Sequence, residues 1–411
     1  MPFIGNQPSA VPLTSADITD GIITSAKIAD GTIVNADINA SAAIASTKLS
    51  GITSPAGFRN IVINGDMQIA QRSTSVASIT SEGYYTVDRF RTDINSLGTW
   101  TQSQSTDVPS GYGFANSLKM DCTTADATPS AGDYLFIRQM FEGQNLQYLK
   151  KGTASAVSLT ASFWVKSTKT GTFICELQDT DNSRSISKSY TVSVSNTWEF
   201  KTVTFAGDTT GAFTNDNGVS LALNFWLGAG TTFTSGTLAT SWGSEVTANR
   251  VVGQVNIADS TSNDWLITGV QLEAGTSATD FEFLPIDVDL DRCFRYFQKI
   301  SFSAGYFAIG QILATTAYRG TQIKLIKTMR TAPSITLPTA GTGANQMHFT
   351  TITGTNPATI GTNSALNIQV DSFCIEGDSY SATGAAGGAT LLYAQTGGIT
   401  ITASSELWLK K

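Results

Sequence analysis

Leu159, Ala161, Phe163 and Val165 occupy every second position of one segment, and Leu221, Leu223, Phe225 and Leu227 repeat the pattern in another. A two-residue period puts such side chains on one face of a β-strand, whereas a helix needs spacings of three and four. The run 198–205, WEFKTVTF, also reads as a strand. So does 264–272, where Leu266, Val270 and Leu272 are expected on one side. Turns rich in Gly, Asn, Asp and Ser bound these runs, and no helical pattern separates them. An all-β chain follows, with a jelly-roll β-sandwich over 58–285 as its main body. The stretches 209–218 and 228–245 are expected to be its long loops.

Residues 286–299, IDVDLDRCFRYFQK, break the β pattern. Leu290, Cys293, Phe294 and Phe297 fall on one helical stripe, with Asp289 and Asp291 near the start and Lys299 at the end. This is read as a connector helix capped by its aspartates. A second, smaller β-sandwich is expected over 300–411, with strands near 307–313, 322–327, 334–337, 365–370 and 390–395. The terminal strand's Leu407 and Leu409 would need a cover.

Residues 13–57 carry a different signal. SADI, SAKI, NADI and STKL recur in steps of ten, ten and eleven. Ile18, Ile23, Ile28, Ile33 and Ile38 are five apart and cannot share a helix stripe. One chain cannot bury them, but parallel copies can. An oligomeric shaft or collar is therefore expected, with a homotrimer as the closed solution; a flexible linker is the bland alternative. Residues 1–12 bear Phe3, Ile4, Pro8 and Val11 without a fold of their own, and would order only against a partner.

Composition removes several functions. The chain has 411 residues, one His and a net charge of −7. An acidic chain is ill suited to phosphate backbones. No run approaches the length of a transmembrane helix, and the start lacks the features of a secretory signal, so synthesis in a cytoplasm without membrane insertion is expected. A lone His348 argues against histidine catalysis and multi-His metal sites. Cys122, Cys175, Cys293 and Cys374 form no CxxC pair and read as buried free thiols. Glu82, Asp133, Glu142, Glu176 and Glu273 are available carboxylates, but no spacing marks a glycosidase pair. Asp88 and Arg89 read as a structural ion pair, and DTDNS (179–183) as a solvated turn in preference to a calcium loop. No catalytic residue, metal or cofactor is expected.

Seven Trp residues are the remaining candidates. A sugar presents an apolar face that packs on an aromatic ring. Trp164 and Trp226 have the parity opposite to the core positions, and Trp242 lies in a loop. These three are the candidate glycan platforms, the alternative for Trp164 and Trp226 being an outer face covered by a loop or a neighbouring subunit, while Trp198 and Trp265 are expected in the core.

NIVINGDMQIAQRSTS (60–75), VDRF (87–90), TDVPSG (106–111), VSLTASFWVKS (157–167), LITGVQLEAGTSATDFEFLP (266–285) and the following DRCFRYFQK together resemble a widespread bacteriophage fibre family. The resemblance covers roughly 58–300. It implies a jelly roll similar to carbohydrate-binding modules, followed by a helical C-x-R-Y-F linker. AKIADGTI resembles the repeats upstream in such fibres, and MPFIGNQP resembles N-termini of marine phage fibres that dock on the virion. The family thus implies a virion-attached, usually trimeric fibre that meets host-surface polysaccharide. Its N-terminus would contact tail, portal or adaptor, or capsid proteins. A tail fibre is favoured; a head-attached decoration and a glycan-degrading tailspike stay open.

Overall fold

The computed structural model describes residues 58–314, 317–351, 362–378 and 389–407, together with Ile28. The chain divides into two units, Met1–Ala56 and Gly57–Lys411. In the first, Ile28 is exposed within the single chain. The anchor positions Phe3, Ile4, Pro8 and Val11, and the shaft positions Ile18, Ile23, Ile33 and Ile38, lie outside the described residues.

The second unit begins with twelve strands: β1 (Ser75–Ile79), β2 (Arg91–Asn95), β3 (Thr99–Ser105), β4 (Ser117–Thr124), β5 (Tyr134–Glu142), β6 (Leu159–Ser167), β7 (Gly171–Asp179), β8 (Arg184–Val192), β9 (Glu199–Phe205), β10 (Val219–Ala229), β11 (Gly243–Ser244) and β12 (Asp264–Ala274). They form two six-stranded sheets, ordered β1-β3-β4-β12-β6-β9 and β11-β8-β7-β10-β5-β2. Every pairing between these strands is antiparallel. The alternating residues of β6 and β10 meet in one core. Phe163 and Phe225 pack edge to face across it, 5.0 Å between centroids. Each fully buried side chain of this kind contributes about 1.5–3 kcal/mol.

On β12 the alternation changes phase. A bulge between Thr268 and Gln271 inserts one residue, with Gly269 at φ +61°. Trp265, Ile267, Val270 and Leu272 therefore enter the core. Leu266, expected to share a face with Val270 and Leu272, pairs opposite Lys166 on the other face. A two-residue period cannot be carried across a bulge, which is why the sequence misplaces it.

The 228–245 stretch also differs from a simple loop. β10 runs on to Ala229, and a short helix α1 (Thr231–Thr234) follows. The chain then returns as a strap, through β11 on β8, to Val251.

Helix α2 spans Ile286–Phe294, so the helix expected over 286–299 ends five residues early. Its N-cap is Pro285, with no side-chain cap; Asp287 and Asp289 lie in the first turn, where the helix dipole favours them. Beyond it, backbone pairing with Ser404 takes Phe297 into a strand instead. Nine strands follow: β13 (Phe297–Phe302), β14 (Gly305–Ala314), β15 (Ala317–Lys324), β16 (Ser334–Thr336), β17 (Met347–Thr351), β18 (Thr362–Leu366), β19 (Ser372–Asp378), β20 (Ala389–Ala394) and β21 (Ile399–Ser404). They make a three-stranded sheet, β13-β21-β16, and a six-stranded one, β17-β20-β14-β15-β19-β18. Tyr318 and Phe349 stack in the core between them. The strand expected over 365–370 ends at Leu366, because Asn367 turns the chain at φ +47°. The strand expected over 322–327 likewise ends at Lys324.

The two β modules share a buried seam. Leu407 finds its cover here, against Met140, Val219, Ala222 and Tyr296. Arg89 is buried; it pairs with Glu406, donates to the Met140 carbonyl at 2.8 Å and lies 3.5 Å from the Tyr296 ring centre. Asp88 is not its partner: that carboxylate accepts from Gln71 and faces Arg72 at 3.8 Å. The dipeptide lies in a turn, with the Phe90 amide donating to the Val87 carbonyl at 3.3 Å and Arg89 at φ +72°, and the two side chains leave it toward different partners. Burial pushes Asp88 up to about 6 against the pull of Arg72 and Gln71. Cys122, Cys175 and Cys293 are buried free thiols, and Cys374 is half-buried.

Candidate functional site

The outward positions of β6 and β9 build the site. Ser162 and Trp164 alternate with the core residues of β6, and Phe200 stands directly opposite Trp164 on β9. A loop places Tyr112 beside them, its flanking Gly111 and Gly113 at φ +85° and +83°. Tyr112 and Trp164 lie 4.2 Å apart by ring centres, inclined at 48°; Trp164 and Phe200 lie 5.4 Å apart, inclined at 52°. The opposite wall is a second aromatic cluster, Phe114, Phe281 and Phe283, with centres 4.8–5.2 Å apart.

The β12 bulge seats that wall. A Cβ on Gly269 would lie 2.6 Å from the Phe114 ring, so only glycine admits the approach. The result is an open groove of about 610 Å³, within the range of small-ligand sites. Its polar lining comes from Ser162, Thr279 and Asp280. Tyr112 is 55% exposed, Phe200 49% and Phe283 47%. Large exposed rings gathered in one concavity are uncommon on a surface that has only water to meet.

Charges near the groove are mostly tied. Glu273 accepts from the Thr279 hydroxyl at 2.8 Å, and Glu282 accepts from the Asn60 amide at 2.8 Å. Asp107 receives the Trp198 indole N–H at 2.9 Å and the Lys166 ammonium at 2.7 Å. Partial burial would raise Asp107, but these hydrogen bonds outweigh it and hold the carboxyl below its usual range.

Of the three candidate platforms, only Trp164 lines this groove. Trp226 is fully buried and cannot meet a ligand as the chain stands. It lies 4.4 Å from Phe136 and 5.6 Å from Phe233, beneath the strap that follows β10. Its indole N–H donates to Glu176 at 2.9 Å, and the same carboxylate takes a two-pronged pair from Arg250 at 2.7 and 2.8 Å. Trp242 is half-buried against the sandwich core, donating to the Ala206 carbonyl at 2.7 Å. Trp265 is in the core as expected, but Trp198 is only half-buried. Tyr112, Phe114, Phe200, Phe281 and Phe283 line the groove with Trp164 but lie outside the tryptophan candidates. Phe200 has the parity opposite to Val203 and Phe205, and Tyr112 stands between two glycines; both signals were there to use.

The other carboxylates are engaged. Glu82 pairs with Arg91 at 2.7 Å, Asp133 accepts from the Ser130 amide at 2.7 Å, and Glu142 holds Arg295 and Tyr296. In the DTDNS turn, Asp179 accepts two amides and the Lys151 ammonium at 2.5 Å. Lys151 also reaches Asp208 at 3.0 Å and the Gly211 carbonyl at 2.7 Å, so a lysine supplies the cation at this turn. Among the described residues no group of three or more His, Cys, Asp and Glu side chains is placed to hold a metal ion.

No family model matches the chain, and no curated protein matches it. Among solved structures it is similar to the enzymatically active domain of bacteriophage CBA120 tailspike protein 4, at 16% identity over 53% of this chain and 22% of that one, with a TM-score of 0.29. It is similar to a putative sugar binding protein from Bacteroides thetaiotaomicron, at 10% identity over 52% and 99%, with a TM-score of 0.29. It is also similar to the family 11 carbohydrate-binding module of a Clostridium thermocellum cellulase, at 13% identity over 49% and 99%, with a TM-score of 0.24. The chain spans about a fifth of the tailspike domain's length. All three scores fall below 0.5, so the reading of the groove rests on its own geometry.

Proposed function

We propose that this chain is a non-enzymatic fibre of a phage virion, with a tail fibre favoured, and that its first sandwich binds host-surface glycan. The observation that carries the binding is the open groove lined by the rings of Tyr112, Trp164 and Phe200 beside Ser162, Thr279 and Asp280. Aromatic faces pack on the apolar faces of sugar rings, and a few hydroxyls and carboxylates fix orientation. The motifs along 58–300 and the isoleucine repeat support the fibre part of the reading. In it, residues 1–12 anchor the chain to other virion proteins, and residues 13–57 join three copies. Three weak sites acting together compensate for modest single-site affinity.

Trp164→Ala tests the binding. Removing the central ring should weaken binding of host polysaccharide by the full chain by about tenfold, equal to about 1.4 kcal/mol, with little loss of thermal stability. Unchanged binding overturns the assignment of the groove. Shortening of the polysaccharide chains during the same assay overturns the non-enzymatic part. A monomer by sedimentation of the full chain overturns the trimer.

A further inference from the structure

We infer that a second cavity, lined by Phe58 and Tyr148, is a further station for the same glycan, so that the ligand is an extended chain and not a single terminal sugar. The inference rests on the glycan-binding reading and adds the length class of the ligand. Among the described residues the exposed aromatic rings are those of Phe58, Tyr112, Tyr148, Phe200, Phe283 and Tyr306. Tyr112, Phe200 and Phe283 line the groove. Phe58 and Tyr148, 60% and 51% exposed, line the second cavity, of about 310 Å³, at the lower end of small-ligand sites. Single exposed rings scattered over a surface need no explanation; rings gathered in concavities do. The local fold explains why Tyr148 stays out. The chain leaves β5 through two turns of 3-10 helix, Gly143–Asn145 and Gln147–Leu149. Residues three apart eclipse in such turns, so Leu146 and Leu149 both enter the core while Tyr148 faces water.

The polar groups beside these rings suit sugar hydroxyls. Asn145 is exposed at the cavity, and its side-chain amide offers both donors and an acceptor. Arg292, 5.8 Å from the Phe58 ring centre, has only long contacts, 3.3 Å to the Asn60 carbonyl and 3.6 Å to Asp289. Arg295 and Tyr296 are closed on Glu142 at 2.6–2.7 Å and shape the lining. The cavity adjoins the groove through one short segment. Phe281 and Phe283 line the groove, while Glu282 between them accepts the Asn60 amide at 2.8 Å, and Asn60 lines the cavity. A crevice of about 10 Å³ shares Asn60 and Arg292 with the cavity and Phe281 with the groove. That is room for a water and not for a sugar. A glycan that fills both stations therefore crosses the segment on its outer side, which takes a chain of linked sugars.

The test uses one polysaccharide in two lengths. Purified host polysaccharide, and its disaccharide and trisaccharide fragments from partial acid hydrolysis, are titrated against the full chain. Tyr148→Ala should weaken binding of the polysaccharide by about fivefold, the loss of one aromatic contact. It should change binding of the fragments by less than about twofold, because they sit in the Trp164 groove alone. Tyr148→Phe keeps the ring and should bind the polysaccharide as the unaltered chain does. Phe58→Ala, which removes the other ring of the cavity, should repeat the Tyr148→Ala result and keeps the test open if Tyr148→Ala fails to fold. Polysaccharide binding that neither alanine variant weakens overturns the inference, as does an equal loss for the fragments. Trp164→Ala should weaken both lengths. If it changes neither, or if the unaltered chain binds neither, the groove reading itself fails and the pairing of the two stations falls with it.

Discussion

The two sheets of the first sandwich turn very different outer faces to their surroundings. On β6 and β9 the outward aromatics stay open: Trp164 is half-buried and Phe200 is 49% exposed. On β7 and β10 the outward residues Glu176 and Trp226 are fully buried, because the strap from Gly230 to Val251 lies over them. Phe233, Leu238 and Val251 pack on Trp226 and Phe136, and Arg250 answers Glu176. Strand parity places both tryptophans on outer faces; covering by a distant segment decides which of them water reaches. A closed face serves stability and an open face is free for recognition.

The largest effect that would break this comparison is on the closed face. Arg250→Ala leaves Glu176 buried without its cation, which should cost about 3–5 kcal/mol of stability. Trp164→Ala on the open face should cost about 1 kcal/mol, the scale of a partly exposed aromatic pair. Denaturant unfolding of the two variants measures both. Similar losses would show that the faces differ in appearance and not in energetic role.

Acid should separate the faces in the same direction. Burial alone would raise Glu176, but Arg250, Asn224 and Trp226 outweigh it and hold the carboxyl below its ordinary value. A depressed folded value contributes stability above the unfolded pKa, near 4.3, and that stability is lost as pH falls through the folded value. Asp107 is also depressed, but it is largely exposed, so solvent screens its contribution. Hydrogen exchange below about pH 4 should therefore show residues 231–251 losing protection before β6 and β9. Earlier loss in β6 would place the acid-sensitive contact on the open face.

How much of this was legible in the sequence follows from the range of the interactions. The cores of β6 and β10 were legible because alternation is local. The phase change on β12 was hidden because a bulge depends on backbone pairing, with Gly269 the one trace it leaves. The seam pairs Arg89 with a residue 317 positions away, beyond any periodic signal. The groove was half legible: Trp164 by parity, but its second wall, Phe114 with Phe281 and Phe283, assembles from two loops.

Trp242 gives the comparison its finest test, since by sequence it was the most exposed of the three tryptophans. The ring belongs to neither extreme. It is half-buried against the core and outside the groove lining, and the Lys151 ammonium lies 5.4 Å from its centre. Trp242→Ala removes one hydrogen bond to Ala206, some packing and a cation–π contact. Each is worth about 1 kcal/mol or less at a partly exposed site, so the expected loss of stability is about 1–2 kcal/mol. Glycan binding should change by less than about twofold, because no groove contact is lost. Calorimetric unfolding and a binding titration on the same variant separate the two. Stability unchanged with binding lost would move the sugar platform from Trp164 to Trp242, and the open face of β6 and β9 would then need another explanation.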